Sequence, residues 1–136
     1  MDYDFEKCKE IAQKAHAGQF RKDGKTPYIV HPLAVASVIE DPKTKCAAVL
    51  HDVIEDTSLT AEDLKNLGVP QDVVDLVLLV SRRRLETYMQ YLQKVKTSKE
   101  AIVIKMCDLQ HNMSDLPQCN LRDKYELAVE FLKVKA

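Results

Sequence analysis

The chain has no tryptophan, only 6% aromatic residues and three glycines in 136 residues. Its five prolines sit at apparent boundaries, so little in the sequence interrupts helices. No apolar run approaches the roughly 20 residues needed to span a bilayer. The opening MDYDFEKCKE is acidic and mixed, which does not read as a signal peptide, and a cytoplasmic location is expected. An excess of one charge is also missing. A net charge of −1 leaves no electrostatic footprint for nucleic acid, and no nucleic-acid or membrane partner is expected. Cysteine occurs four times, as the isolated Cys8, Cys46, Cys107 and Cys119. Without a CxxC pair a zinc ribbon or dithiol redox motif has no support, and reduced core thiols are the reading.

What is present is a core. Hydrophobic residues make up 46% of a chain long enough for one domain over residues 1–136. Apolar spacing predicts a helix over 3–17, ended by Gly18. A turn at Gly24 and Pro27 follows, with Tyr28–Val30 at most a short extended piece. Pro32 is placed to start a helix through Ile39, and another is expected from about Lys43 to Glu55. Thr60 with Asp63 reads as a capping box opening a short helix that stops at Gly68. Pro70 starts the next, to about Val80. Tyr88, Tyr91, Leu92 and Val95 mark one after Thr87, and Ser98 caps a long one to about Leu116. Asn120 with Asp123 opens the last. The fold class is all-α, a single compact helical bundle.

The segment AAVLHDVIEDT, Ala47–Thr57, puts His51, Asp52, Glu55 and Asp56 directly behind an apolar run. On a continuous helix these four fall at about 0°, 100°, 40° and 140°, one arc opposite Leu50, Val53 and Ile54. Three carboxylates crowded there repel one another unless a cation neutralises them. A solvated face at a helix end is the plain alternative, which the helix dipole disfavours.

A second polar stripe runs through AIVIKMCDLQHNMSDL, where Lys105, Asp108, Asn112 and Asp115 recur on one face of an otherwise apolar helix, with His111 beside Asn112. Asp108 can pair simply with Lys105; a buried aspartate needs some partner. His31, in YIVHP, stands at the entry to a helix. Together the three segments supply two histidines and two aspartates, a workable set for a metal with open positions.

Three stretches, AHAGQFRKDGKTPYIVHPLAVA, AAVLHDVIEDT and KMCDLQHNM, resemble the HD-domain phosphohydrolases over nearly the whole chain. Among those they are most similar to the hydrolase domain of the RelA/SpoT family and its small stand-alone relatives. The resemblance implies an HD-domain helical fold with one catalytic divalent ion, usually manganese, and a small-molecule nucleotide substrate. It implies removal of pyrophosphate from the 3′ position of (p)ppGpp. By motif the metal ligands are His31, His51, Asp52 and Asp108, and Glu55 and Asp56 are the catalytic pair that handles the attacking water. Asn112 corresponds to a residue lining the sugar-phosphate region and Arg21 to one flanking the nucleobase. Lys22, Lys25, Lys105 and the run Arg82–Arg83–Arg84 are candidates for phosphate contact, the run being otherwise a solvated turn. The segment SRRRLETYMQYL departs from the long bifunctional enzymes and leaves other substrates open, such as NADPH or another 3′-phosphorylated nucleotide. A non-catalytic nucleotide sensor is the alternative of a different class; an intact acidic pair counts against it.

Overall fold

The computed structural model describes residues 3–114 and 116–134. Asp115, the last member of the second polar stripe, lies outside the described residues. Nine helices follow in order among the described residues: α1 (Phe5–Ala15), α2 (Val30–Ser37), α3 (Pro42–Val49), α4 (Val53–Asp56), α5 (Ala61–Asn66), α6 (Gln71–Leu79), α7 (Tyr88–Val95), α8 (Lys99–Met113) and α9 (Asn120–Lys133). The only extended pairing among these residues is a single antiparallel bridge between Phe20 and Pro27. The chain is all-α.

Helix α3 is the centre. Thr44, Cys46, Ala47, Ala48 and Val49 are all buried, and α1, α2, α6 and α8 pack around it. A helix buried on most of its surface needs small side chains where neighbours approach, and Ala47 and Ala48 provide them. Each surrounding helix contributes one apolar stripe: Cys8, Ile11 and Ala12 from α1, Val35 and Ala36 from α2, Val73, Val74, Leu76 and Val77 from α6, Ile104 and Leu109 from α8. α9 closes the bundle over α8 with Ala128, Val129 and Leu132.

Local signals set most boundaries. Asp4 caps α1 by accepting from Lys7 N, and Asp41 caps α3. Thr60 with Asp63 and Thr87 with Gln90 form complete capping boxes. Ser98 caps α8. Gly68, at φ +95°, adopts the left-handed conformation that lets Val69 N reach back to Leu64 O and end α5.

Three sequence expectations are corrected. Tyr28–Val30 is not extended: Val30 already begins α2, so Pro32 sits inside its first turn. α8 ends at Met113 rather than near Leu116. Most consequentially, the expected helix from Lys43 to Glu55 is two helices. The ladder tightens to i→i+3 bonds at Leu50 and His51, with Leu50 N bonding Ala47 O and His51 N bonding Ala48 O, both at 3.2 Å. The chain then turns through Asp52 into the four-residue α4. The wheel that placed His51, Asp52, Glu55 and Asp56 in one arc does not apply across this break.

Candidate metal centre

The break between α3 and α4 aims His51 and Asp52 inward. His51 Nδ1 lies 2.6 Å from the Ala48 carbonyl oxygen, which only accepts, so Nδ1 carries a proton and fixes the ring with Nε2 facing the interior. From α2, His31 Nε2 points at the same space. From the middle of α8 comes Asp108. One ligand atom from each of His31, His51, Asp52 and Asp108 lies within 4.8 Å of all the others.

Asp108 is the hub. Its Oδ1 is 2.7 Å from His31 Nε2 and 3.2 Å from His51 Nε2, and it accepts from Asn112 Nδ2 at 3.2 Å. Its Oδ2 accepts from Lys105 Nζ at 2.8 Å. Pairing with Lys105 and facing the histidines are thus not alternatives; the aspartate does both. Asp52 Oδ2 is 3.1 Å from His51 Nε2 and 3.7 Å from His31 Nε2. Behind His31, its Nδ1 lies 2.7 Å from His111 Nδ1, with the two rings stacked.

Electrostatics follow from this packing. Burial opposes charge on Asp108, but the Lys105 ammonium and hydrogen bonds from His31 and His51 outweigh it and hold the carboxyl well below its usual range. Burial likewise opposes charge on His51, yet Asp52 and Asp108 raise its pKa well above that of a free imidazole. Two carboxylates converging on two imidazole nitrogens thus draw positive charge into the cluster. A divalent cation bound through two nitrogens and two oxygens satisfies the same demand, and the donor set suits a first-row divalent metal. The residues fit such an ion.

Glu55 and Asp56 lie at the open rim. Partial desolvation, reinforced by the charge of Asp52, raises the pKa of both carboxyls. Asp56 is joined to the cluster by Tyr28, whose hydroxyl donates to Asp52 Oδ2 at 2.6 Å and lies 3.4 Å from Asp56 Oδ2. Burial and the charge of Asp52 keep this phenol protonated far above the ordinary range. Glu55 is held differently: its Oε1 accepts from the backbone N–H of Arg82.

Arg21 Nη2 donates to Asn112 Oδ1 at 3.0 Å, and its guanidinium lies over the Tyr28 ring. Arg21, Lys22, Tyr28, His111, Asn112 and Tyr125 line a cleft of about 420 Å³ beside the cluster. Lys22 is exposed there, and Lys25 is exposed outside it. Arg82, Arg83 and Arg84 border a separate hollow next to Glu55 and Asp56. Sequence reading missed Tyr28 and His111 as parts of the site. Tyr28 stands three residues before His31 but ahead of α2, and only the fold brings its hydroxyl to Asp52. His16 was also unforeseen: it is buried, its Nδ1 is 2.8 Å from Gln19 Oε1, and Gln19 Nε2 donates to the Asp56 carbonyl.

The chain has relatives among known proteins. The sequence model of a family described as "HD domain" matches residues 9–134. The guanosine-3′,5′-bis(diphosphate) 3′-pyrophosphohydrolase of Haemophilus influenzae is 37% identical over 138 residues, 91% of this chain and 20% of that protein. The bifunctional (p)ppGpp synthase/hydrolase SpoT of Escherichia coli K12 is 34% identical, with the same coverage of 91% and 20%. The chain therefore spans about a fifth of the length of these curated relatives. A solved structure, described as a metazoan ortholog of SpoT that hydrolyzes ppGpp and plays a role in starvation responses, superposes with a TM-score of 0.76. It is 29% identical, and the match covers 94% of this chain and 82% of that one. Among the described residues no helix is long and apolar enough to cross a membrane.

Proposed function

Because the chain belongs to the HD domain family, we propose that it is a metal-dependent phosphohydrolase whose substrate is guanosine 3′,5′-bis(diphosphate). It is a single hydrolase domain over residues 1–136 and acts in the cytoplasm. The observation that carries the reading is the convergence of His31, His51, Asp52 and Asp108 within 4.8 Å, beside a rim with two carboxylates. Relatives named for this reaction support the choice of substrate.

His31 and His51 would hold the ion through Nε2, with Asp52 and Asp108 supplying an oxygen each. Manganese is the proposed ion; when bound, it supplies Lewis acidity and compensates charge on phosphoryl oxygens. Every other contribution comes from the chain. Glu55 and Asp56, with proton affinities raised by partial desolvation and Asp52, accept the proton from the attacking water. Water adds to the phosphorus attached to the ribose 3′ oxygen, the P–O3′ bond breaks, the leaving oxygen takes up a proton from solvent, and the products are pyrophosphate and a 3′-hydroxyl, the acidic pair returning its proton to solvent. Tyr28 holds the carboxylates of Asp52 and Asp56 in a fixed relation. Lys105, pinned to Asp108, places an ammonium where negative charge accumulates. The cleft between Arg21 and Tyr125 takes the nucleoside, Arg21 stacking on the base while Asn112 faces the sugar and Lys22 stands at the mouth.

Purified protein with manganese, offered ppGpp, NADPH and GTP in parallel, tests this. Pyrophosphate release from ppGpp alone is expected. Turnover of NADPH with ppGpp untouched overturns the substrate; turnover of none overturns the activity.

A further inference from the structure

A second group of charged and aromatic side chains lies against the metal cluster on the side of α7 and α9. Tyr88, the first residue of α7, has a buried hydroxyl with no hydrogen-bond partner. Such a donor, left unmade, is costly and marks a place where an acceptor is missing. Two cations share its ring: Lys124 Nζ lies 4.1 Å from the ring centroid and the Arg82 guanidinium 5.5 Å from it. Neither has a carboxylate in ion-pair range among the described residues. The Arg82 side chain donates from Nε to a backbone carbonyl, that of Glu86. A third cation, Lys105, sits 5.1 Å from the neighbouring Tyr91 ring and binds Asp108 at 2.8 Å, so the group is continuous with the cluster. Arg82 is also tied by its backbone to Glu55.

Partial desolvation and repulsion from Arg82 and Lys105 lower the Lys124 pKa, as expected of cations gathered without their counter-charge. The missing partner is therefore an anion rich in acceptor oxygens. The nucleoside cleft is elsewhere, on the Arg21 and Asn112 side. The cleft wall includes Tyr125, next to Lys124 in α9, so the cleft and this basin adjoin along that helix.

We propose that Lys124, Arg82 and Tyr88 form a subsite for the outer phosphoryl group of a diphosphate whose inner phosphoryl lies at the His31–His51–Asp52–Asp108 cluster. This rests on the phosphohydrolase reading above and adds a specificity: the basin selects diphosphate over monophosphate esters. Lys124 and Arg82 each supply a charge-assisted hydrogen bond to the outer group, and Tyr88 supplies a neutral one. A 3′-monophosphate reaches none of them.

Calorimetric titration of manganese-loaded protein with inorganic pyrophosphate and with inorganic phosphate, at one fixed manganese concentration, tests the subsite. Chelation in solution is then the same for every variant, and differences report the protein. Lys124→Ala and Arg82→Ala should each weaken pyrophosphate by about tenfold or more, the range of a charge-assisted bond. Tyr88→Phe, which keeps the ring and both stacked cations, should cost roughly 3-fold to 10-fold, the range of a neutral bond. Phosphate affinity should change far less. Lys133→Ala removes an equal charge from the exposed far end of α9 and should leave pyrophosphate binding as in wild type. Wild-type pyrophosphate affinity in Lys124→Ala, or an equal loss for phosphate and pyrophosphate, overturns the proposal. Absence of ppGpp hydrolysis by the wild type refutes the proposed function instead, and the subsite is judged on the affinities alone.

Discussion

Asp108→Asn removes the charge on which four groups converge while keeping the shape of the side chain. In the folded protein Lys105 is 13% exposed and its ammonium has Asp108 at 2.8 Å. Without that carboxylate a nearly buried cation is left unpaired. Breaking such a pair costs about 3–5 kcal/mol, far more than the pair is worth against an apolar replacement. A double-mutant cycle separates the two quantities. Lys105→Met alone leaves Asp108 with its histidine and Asn112 contacts and should cost less than Asp108→Asn. The double variant Lys105→Met/Asp108→Asn removes both charges together and should recover most of the loss, to within about 1–2 kcal/mol of wild type. Urea unfolding of the metal-free proteins measures this, with slopes compared to exclude a change of compactness. Metal content, measured alongside, should fall in both Asp108→Asn and the double variant, because restored stability does not restore the ligand. Asp108→Asn as stable as wild type, or a double variant no better than it, would refute the reasoning.

Metal binding should be linked to protons: His51 holds a proton in the metal-free protein because its pKa is raised, whereas Asp108 and Asp52 have lowered values and are already ionised. Affinity should therefore rise with pH, by about tenfold per unit for each proton displaced; titration in buffers of different ionisation heat counts the protons, and no release contradicts the assignment. For the metal-free fold, the depressed Asp108 and Asp52 contribute stability that is present above the unfolded aspartate pKa of about 3.9 and is lost as pH falls through the folded values, so acid should unfold it. Glu55→Gln and Asp56→Asn should each cut turnover by roughly 10²–10⁴-fold with metal content unchanged, and wild-type turnover in both ends their water-handling role. Arg21→Ala should raise KM for ppGpp with little change in kcat, since stacking is alike in ground and transition states; an equal fall in kcat at constant KM would place Arg21 in the chemistry instead.

Much of this arrangement was legible in the sequence because its signals are local. Thr60, Thr87 and Ser98 announce helices through cap chemistry, and the apolar stripes of α1, α7 and α9 follow helical spacing. The break at Leu50–Asp52 was not legible. It carries no glycine or proline, and the bond from the His51 ring to the Ala48 carbonyl that accompanies it is one that periodicity does not encode. The four ligand candidates could be collected from three segments. Their common meeting point, with Asp108 as hub, is a tertiary fact set by the packing of α2, α3 and α8. Tyr28, Tyr88 and Lys124 were invisible as parts of a site for the same reason. Tyr28 meets Asp52 across 24 residues, and Lys124 lies over a ring from a different helix. In sequence each reads as an ordinary aromatic or a solvated charge.

Hydrolysis of ppGpp by the manganese-loaded protein in ¹⁸O-labelled water tests the central claim most directly. Attack at the phosphorus bonded to the ribose 3′ oxygen puts one labelled oxygen into each released pyrophosphate and none into the nucleotide product. Pyrophosphate carrying a single ¹⁸O, lost on chelation and regained on adding manganese, is the expected result. Label in the 3′-hydroxyl, or turnover that persists in excess chelator, would contradict it.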